Sequence, residues 1–245
     1  MVDAKFGVPR LAAVYDAFDA DRGDLDHYVA MVEEFGARQV LDVGCGTGEL
    51  ASLLAGRGVD VIGVDPAAAS LEVARGKEFA DRVRFLQGDA TTLPPLQVDL
   101  AVMTGNVAQV FLTEEDWSAT VRGVYAALAP GGRFVFETRD PARRGWEEWT
   151  REQTREVRTV AIGETVETVE SWTDLVSVEL PFVTFRGTYV FSSDGAVLTS
   201  DSTLWFRERG EVEESLVAAG FTVDEVRDAP DRPGKEFVFV ARKRG

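Results

Sequence analysis

The chain is short of the residues that build metal centres and covalent staples. It has one cysteine, Cys45, and one histidine, His27. One cysteine excludes an intrachain disulfide and a cysteine-cluster metal site, and one histidine excludes a His-based zinc centre. No apolar run approaches the about 20 residues of a membrane helix, and the opening MVDAKFGVPR lacks the apolar core of a signal peptide. A cytoplasmic protein is the expectation. Internal repeats and low-complexity segments are absent too. A basic patch is missing: 26 basic residues face 42 acidic ones, for a net charge of −16, and the bases are mixed with acids along the chain. A protein that grips phosphates carries the opposite balance, so nucleic acid is not expected as a partner. The acidic excess serves solubility and suits a cationic ligand. What is present is 245 residues, 45% hydrophobic, enough for one large α/β domain or a domain with an insertion.

Apolar residues recur at helical spacing over 9–19 (Leu11, Val14, Tyr15, Phe18) and again through Leu25, Tyr28, Val29, Val32 and Phe35, with a break at 22–24. An apolar strand at 39–43 then runs into a glycine turn. A helix is predicted over 49–57, a strand over 59–65, a helix from Pro66 to about Phe79, and strands over 82–89 and 99–105. Thr113 with Asp116 resembles a capping box and opens a helix to about Ala129, stopped by the PGG at 130–132 ahead of a strand over 133–139. Buried strands alternating with amphipathic helices give an α/β fold, a Rossmann-like doubly wound sheet. After Asp140 the texture changes. Thr, Val, Phe and Trp dominate 151–207, VTFRGTYVF alternates with period two, and Asp194-Gly195 marks a hairpin. An antiparallel β insertion of about four strands is expected at 141–207. The α/β pattern resumes with a helix over 211–219 and strands over 221–227 and 236–242. The core, 1–140 with 208–245, thus has seven strands and ends in an antiparallel hairpin.

The turn reads VLDVGCGTGEL. Ligands of such sheets sit outside the carboxyl ends of the strands where winding reverses. A triphosphate loop needs Lys-Ser/Thr after its glycines; here Gly48 is followed by Glu49, which competes with phosphate for the helix N-terminus. A dinucleotide fingerprint needs G-x-G-x-x-G; here the spacing is Gly44-x-Gly46-x-Gly48. Asp65, ending the second strand, fits two roles: acceptor of both ribose hydroxyls, or cap of the next helix ahead of Pro66. Asp89, in Gly88-Asp89-Ala90, fits an adenine amino contact or an ordinary turn. Asp42 either orients the turn or meets a ligand ammonium.

Together these residues resemble the class I S-adenosylmethionine-dependent methyltransferases. VLDVGCGTG looks like their first motif, VIGVD their second, FLQGDA their third, DLAVMTGN their fourth, and LAPGGRFVFE the approach to strand five. The resemblance covers 40–140 closely. It implies a methionine-binding turn at Gly44, Gly46 and Gly48, a ribose acid at Asp65 beside Pro66, an adenine contact at Asp89, and backbone contacts at Ala90 and Thr104. A sulfonium cofactor with an ammonium also makes sense of Asp42 and Glu49. The product is S-adenosylhomocysteine, and no metal is implied.

Methyl transfer needs a lone pair held behind the methyl carbon with water excluded. His27 lies beside the apolar stripe of its helix, a poor position for a base. The Asn/Asp-Pro-Pro-aromatic motif of nucleic-acid amino methyltransferases is replaced by MTGN, and no Pro-Cys nucleophile is present. The expected acceptor is therefore a small molecule, through an amine or hydroxyl. YDAFDADRGD (15–24) resembles the helical lid of small-molecule N-methyltransferases, sugar-amine enzymes among them, which also carry a β insertion after strand five. That likeness implies a lid at 1–36, with Tyr15 and Arg22 at the methionine end. The insertion then serves as lid, substrate subdomain or homodimer surface. Tyr15 fits a core aromatic equally well. Asn106 and Gln109 are placed to position a substrate or to cap a turn; Tyr15 and Asn106 are the candidates nearest the chemistry. Arg139 and Arg143 fit a substrate anion or plain solvation. Trp146, Trp149, Trp172 and Trp205 fall around the insertion, as core or pocket wall. The alternative is a non-catalytic cofactor-binding protein with the insertion as partner surface.

Overall fold

A five-residue run, apolar except for Gln39 at its start and Asp42, becomes the middle one of five parallel strands. In the computed structural model, which describes residues 2–19, 22–162 and 165–245, helices α1 (Ala4–Gly7), α2 (Pro9–Phe18) and α3 (Asp26–Glu34) precede β1 (Gln39–Val43). Then follow α4 (Glu49–Gly56), β2 (Asp60–Asp65), α5 (Ala68–Arg75), β3 (Val83–Gln87), β4 (Val98–Met103), α6 (Glu114–Ala127) and β5 (Leu128–Arg139). After α7 (Arg151–Thr154) come β6 (Glu156–Ile162), β7 (Thr165–Glu179), β8 (Phe182–Phe191) and β9 (Val197–Trp205), and the chain ends with α8 (Arg209–Ala218), β10 (Phe221–Asp228) and β11 (Glu236–Lys243).

The large sheet has the order β10-β11-β5-β4-β1-β2-β3. Strands β1 to β5 pair in parallel, while β11 runs antiparallel to β5 and β10. Winding reverses between β1 and β4, so the turn after β1 opens at the switch point of the sheet. Strand alternation splits the buried residues between two layers. Leu41, Met103, Phe134, Phe136 and Phe239 pack on Trp117, Val121 and Leu216. Val40, Leu100, Val102, Val135 and Val238 pack on Tyr28, Val32, Leu50 and Leu54. Trp117 anchors the first layer: it is buried, stands edge-on to Phe136 at 5.5 Å, and its indole N–H donates to Ser215 at 2.8 Å. Trp117→Ala is expected to cost about 3–5 kcal/mol, read as a fall in the denaturant midpoint at unchanged slope.

The second sheet, β6-β7-β8-β9, is antiparallel throughout. Its inner face holds Val169 and Phe191 against Leu11 and Val14 of α2. Arg10 ties the same helix to Glu167 and Asp194 at 3.0 and 2.7 Å. At its other end Asp16 of α2 accepts from Lys77 (2.5 Å) and from the Thr47 hydroxyl of the glycine turn (2.5 Å). The N-terminal helix is thus held between the insertion and the turn. Among the described residues no helix is long and apolar enough to cross a membrane.

Three boundaries differ from the expectation. The helix predicted from Pro66 to Phe79 spans Ala68–Arg75: Pro66 lies exposed in a bend because Asp65 bonds across it to the Ala67 N–H at 2.8 Å, and Phe79 is left-handed, φ 63°. The PGG at 130–132 falls within β5, which begins at Leu128, and the β4–β5 register shifts across it. The last helix starts at Arg209, earlier than expected, because Glu208 and Glu211 form a reciprocal cap. Within the lid stretch 15–24, Ala20 and Asp21 lie outside the described residues, as does Met1 of 1–36.

Candidate active site at the carboxyl ends of the strands

Gly44, Gly46 and Gly48 are all left-handed, with φ of 74°, 52° and 78°, a backbone that side-chain-bearing residues adopt only under strain. Their surroundings differ. A Cβ on Gly44 would meet Val107, and one on Gly48 would meet Ala74 and Phe85; one on Gly46 would meet nothing among the described residues within 4 Å. Two glycines let the chain pack, and the middle one faces open space.

Asp65 sits directly behind that space. One carboxylate oxygen accepts from the Gly46 N–H at 2.9 Å and the other from the Ala67 N–H at 2.8 Å. Burial raises its pKa, partly offset by those two N–H groups. Asp42 is 1% exposed and its Oδ1 has no hydrogen-bond partner among the described residues. Burial first, and Asp65 second, push its pKa up to about 7. A buried oxygen of this kind is costly unless a donor reaches it. An ammonium group beside the glycine turn meets that need, and Gly46 leaves the room for its carrier. The residues present therefore fit a cofactor with a cationic amino-acid end.

The other sequence candidates scatter more. Asp89 is exposed, and its Oδ1 accepts from the Thr91 N–H and hydroxyl of its own turn at 2.8 and 2.5 Å. The Ala90 carbonyl lies against Gly123 of α6. Pro66 is exposed beside Asp65. Thr104 is half-buried at the end of β4. Arg22 is bound to Asp19 (3.1 Å) and Asp24 (3.0 Å), and its charge acts on Asp42. Tyr15 packs on Phe6 at 5.3 Å; burial raises its hydroxyl pKa, and Arg22 pulls it the other way. Asn106 is left-handed, φ 60°, and 5% exposed. Its backbone N–H donates to Glu137 at 2.5 Å, its Nδ2 donates to Glu236 at 3.2 Å, and its Oδ1 is buried without a partner among the described residues. Gln109 binds Arg139 (3.2 Å) and the Trp205 carbonyl (3.3 Å). Arg139 lies 3.7 Å from Glu236 and faces Trp149, whereas Arg143 is 60% exposed. Trp146 and Trp149 pack with Phe206, while Trp172 and Trp205 stand apart, each under an arginine.

Sequence reading singled out Asp42 but missed Glu137 and Glu236, the two other carboxyls that continue the apolar columns. Val40 leads to Asp42, Val135 to Glu137 and, in the antiparallel β11, Val238 to Glu236, so all three carboxyls lie on the α3 face. Glu137 is 4% exposed, accepts from the Tyr28 hydroxyl and the Asn106 N–H, and is raised by burial to about 7. A lone acid ending the apolar run of FVFE, and another opening EFVFV, is the signal that marks them. Arg207 was also missed. From the end of the insertion it donates to the carbonyls of Ala108 and Phe111, pinning the loop after β4.

Residues 40–132 match the family model described as a methyltransferase domain. These residues are a class I S-adenosylmethionine-dependent methyltransferase domain. The match extends to a demethylmenaquinone methyltransferase of Thermus thermophilus, 35% identical over 133 residues, 53% of this chain and 60% of that one. The chain covers 60% of that relative's length and 43% of the length of a cypemycin N-terminal methyltransferase of Streptomyces, to which it is 34% identical over 106 residues, 43% of this chain. Whole-chain likeness comes from solved structures. The sugar N-methyltransferase KedS8 from Streptoalloteichus superposes with a TM-score of 0.75 at 21% identity, covering 95% of this chain and 93% of that one. CalS10, an amino pentose methyltransferase from Micromonospora echinaspora solved with S-adenosylmethionine bound, gives 0.70 at 23%, covering 94% and 96%. The methyltransferase domain and the second sheet thus occur together in one fold shared with both.

Proposed function

We propose that the chain is an S-adenosylmethionine-dependent methyltransferase acting on a small-molecule acceptor. One observation carries the reading: the buried, partnerless Oδ1 of Asp42 beside a left-handed glycine turn whose middle residue faces open space. On this reading Gly44, Gly46 and Gly48 hold the methionine part and Asp42 takes its ammonium, with Tyr15 and Arg22 covering that end. Asp65, beside Pro66, takes the ribose. Asp89 and the amide edge of Ala90 take the adenine, and Thr104 lines the pocket by its backbone. The bound cofactor supplies an electrophilic methyl: the acceptor lone pair forms the new bond to carbon while the carbon–sulfur pair leaves on sulfur. The protein's part is to exclude water and aim the acceptor. On this reading Tyr15 and Asn106 position the acceptor. The N-terminal helices, tied by Asp16 to Thr47, act as lid. The insertion at 141–207, joined to the site by Arg207 and Gln109, serves as substrate wall or homodimer surface. The sugar and amino-sugar enzymes among the structural neighbours support a small acceptor, and the acidic surface supports one that is not nucleic acid.

Calorimetric titration with S-adenosylmethionine, S-adenosylhomocysteine and NADH tests this. Micromolar binding of both adenosyl compounds and none of NADH is expected. NADH binding without either adenosyl compound would overturn it.

A further inference from the structure

Three carboxyls end the strand columns on the α3 face, and they are not equivalent. Glu236 is ion-paired, with Arg232 at 2.8 Å and Arg139 at 3.7 Å. Asp42 and Glu137 have no cation within salt-bridge distance among the described residues. Asp42 is matched by the cofactor's ammonium in the reading above. Glu137 is left. Its two partners, the Tyr28 hydroxyl and the Asn106 N–H, are both donors. Next to it the Asn106 Oδ1 is an acceptor, buried and empty-handed. Such a group needs a ligand that donates, and a buried carboxyl that has hydrogen-bond donors but no counter-ion is matched by one that is positively charged. Hydroxyl acceptors donate but carry no charge. An ammonium does both.

Resting on the methyltransferase reading, we propose that the acceptor is an amine, that its nitrogen binds between Glu137 and the Oδ1 of Asn106, and that Glu137 removes its proton before transfer. The balance is direct. The ammonium N–H bond breaks and its electron pair stays on nitrogen as the attacking lone pair. The proton goes to a Glu137 carboxylate oxygen, which becomes neutral and returns it to water after product leaves. The groups facing Glu137 set its affinity for that proton: Tyr28 from α3, Asn106 after β4, Glu236 from β11 and Arg139 from β5, with Asp42 and Arg232 also within electrostatic reach. Burial dominates and places it at about 7, where a carboxylate is a competent base near neutrality. Only the ionised form accepts, so amine binding and turnover rise as pH rises through about 7.

The test pairs each amine with its alcohol: glucosamine with glucose, ethanolamine with ethylene glycol, tyramine with tyrosol. Labelled methyl transfer is measured from pH 5.5 to 9, and binding of the same probes to protein saturated with S-adenosylhomocysteine is measured by calorimetry. Transfer to an amine and not to its alcohol is expected, with binding that strengthens through about pH 7. Glu137→Gln should bind S-adenosylhomocysteine as the native chain does, lose roughly 100-fold or more in kcat, and lose the limb near pH 7 in both readouts. The native pH dependence of amine binding decides the case should that variant fold poorly. Equal transfer to the alcohol, a retained limb in Glu137→Gln, or cofactor binding with no amine bound or methylated overturns the proposal while leaving the cofactor reading intact. Absence of any adenosyl binding overturns the reading beneath it.

Discussion

Asp65→Ala is expected to weaken S-adenosylhomocysteine binding by at least about 100-fold, or roughly 2.8 kcal/mol at about 1.4 kcal/mol per tenfold. Two effects add. The Gly46 and Ala67 N–H groups lose their acceptors, and an unsatisfied buried donor costs about 1–3 kcal/mol. The ribose hydroxyls lose theirs as well. The first effect destabilises the protein whether or not a ligand is bound; the second appears only in binding. Calorimetric affinity and thermal midpoint, measured on the same variant, separate the two. A lower midpoint with unchanged affinity would make Asp65 a helix-entry cap and nothing more. Asp65→Asn keeps one acceptor oxygen and should fall between the native protein and the alanine variant in both measurements.

Gly46→Ala and Gly48→Ala should fail in opposite ways. At Gly48 a methyl group would come within 2.8 Å of the Ala74 Cβ and 3.1 Å of the Phe85 ring. Overpacking of that kind costs about 1–3 kcal/mol, and the left-handed backbone adds about 1–2 kcal/mol. For a chain of this size each kcal/mol is worth roughly 2–4 °C, so the midpoint should drop by about 5–15 °C. At Gly46 only the backbone strain applies, because nothing among the described residues lies within 4 Å of the added carbon. That carbon instead enters the space assigned to the cofactor, and affinity should fall by about tenfold or more, the equivalent of about 1.4 kcal/mol. Equal midpoints for the two variants, or full affinity in Gly46→Ala, would remove Gly46 from the binding site.

Much of the fold is legible in the chain because it depends on local periodicity. The apolar runs of β1, β2 and β4 and the helical stripes of α2 and α3 repeat at the spacing of their own elements, so neighbours in sequence suffice. The four strands of the second sheet and the hairpin at Asp194-Gly195 are readable for the same reason. The entry to α5 is not. Whether Pro66 begins a helix depends on Asp65, whose carboxylate is fixed by Gly46, nineteen residues earlier. The extent of β5 likewise depends on β4, which draws Leu128 into the sheet ahead of the PGG.

The site divides along the same line. The glycine turn and the acid at the end of β2 are local signatures, and sequence determines them together with the α/β class and the acidic, nearly histidine-free chemistry. Tertiary structure alone decides which glycine faces open space, since that is set by Val107, Ala74 and Phe85 arriving from other elements. It alone separates Glu236, paired with arginines, from Glu137, which has no cation partner among the described residues, because pairing is a matter of distance between side chains far apart in sequence. A carboxyl's burial and its partners fix its proton affinity, and neither is a property of the residues beside it in the chain.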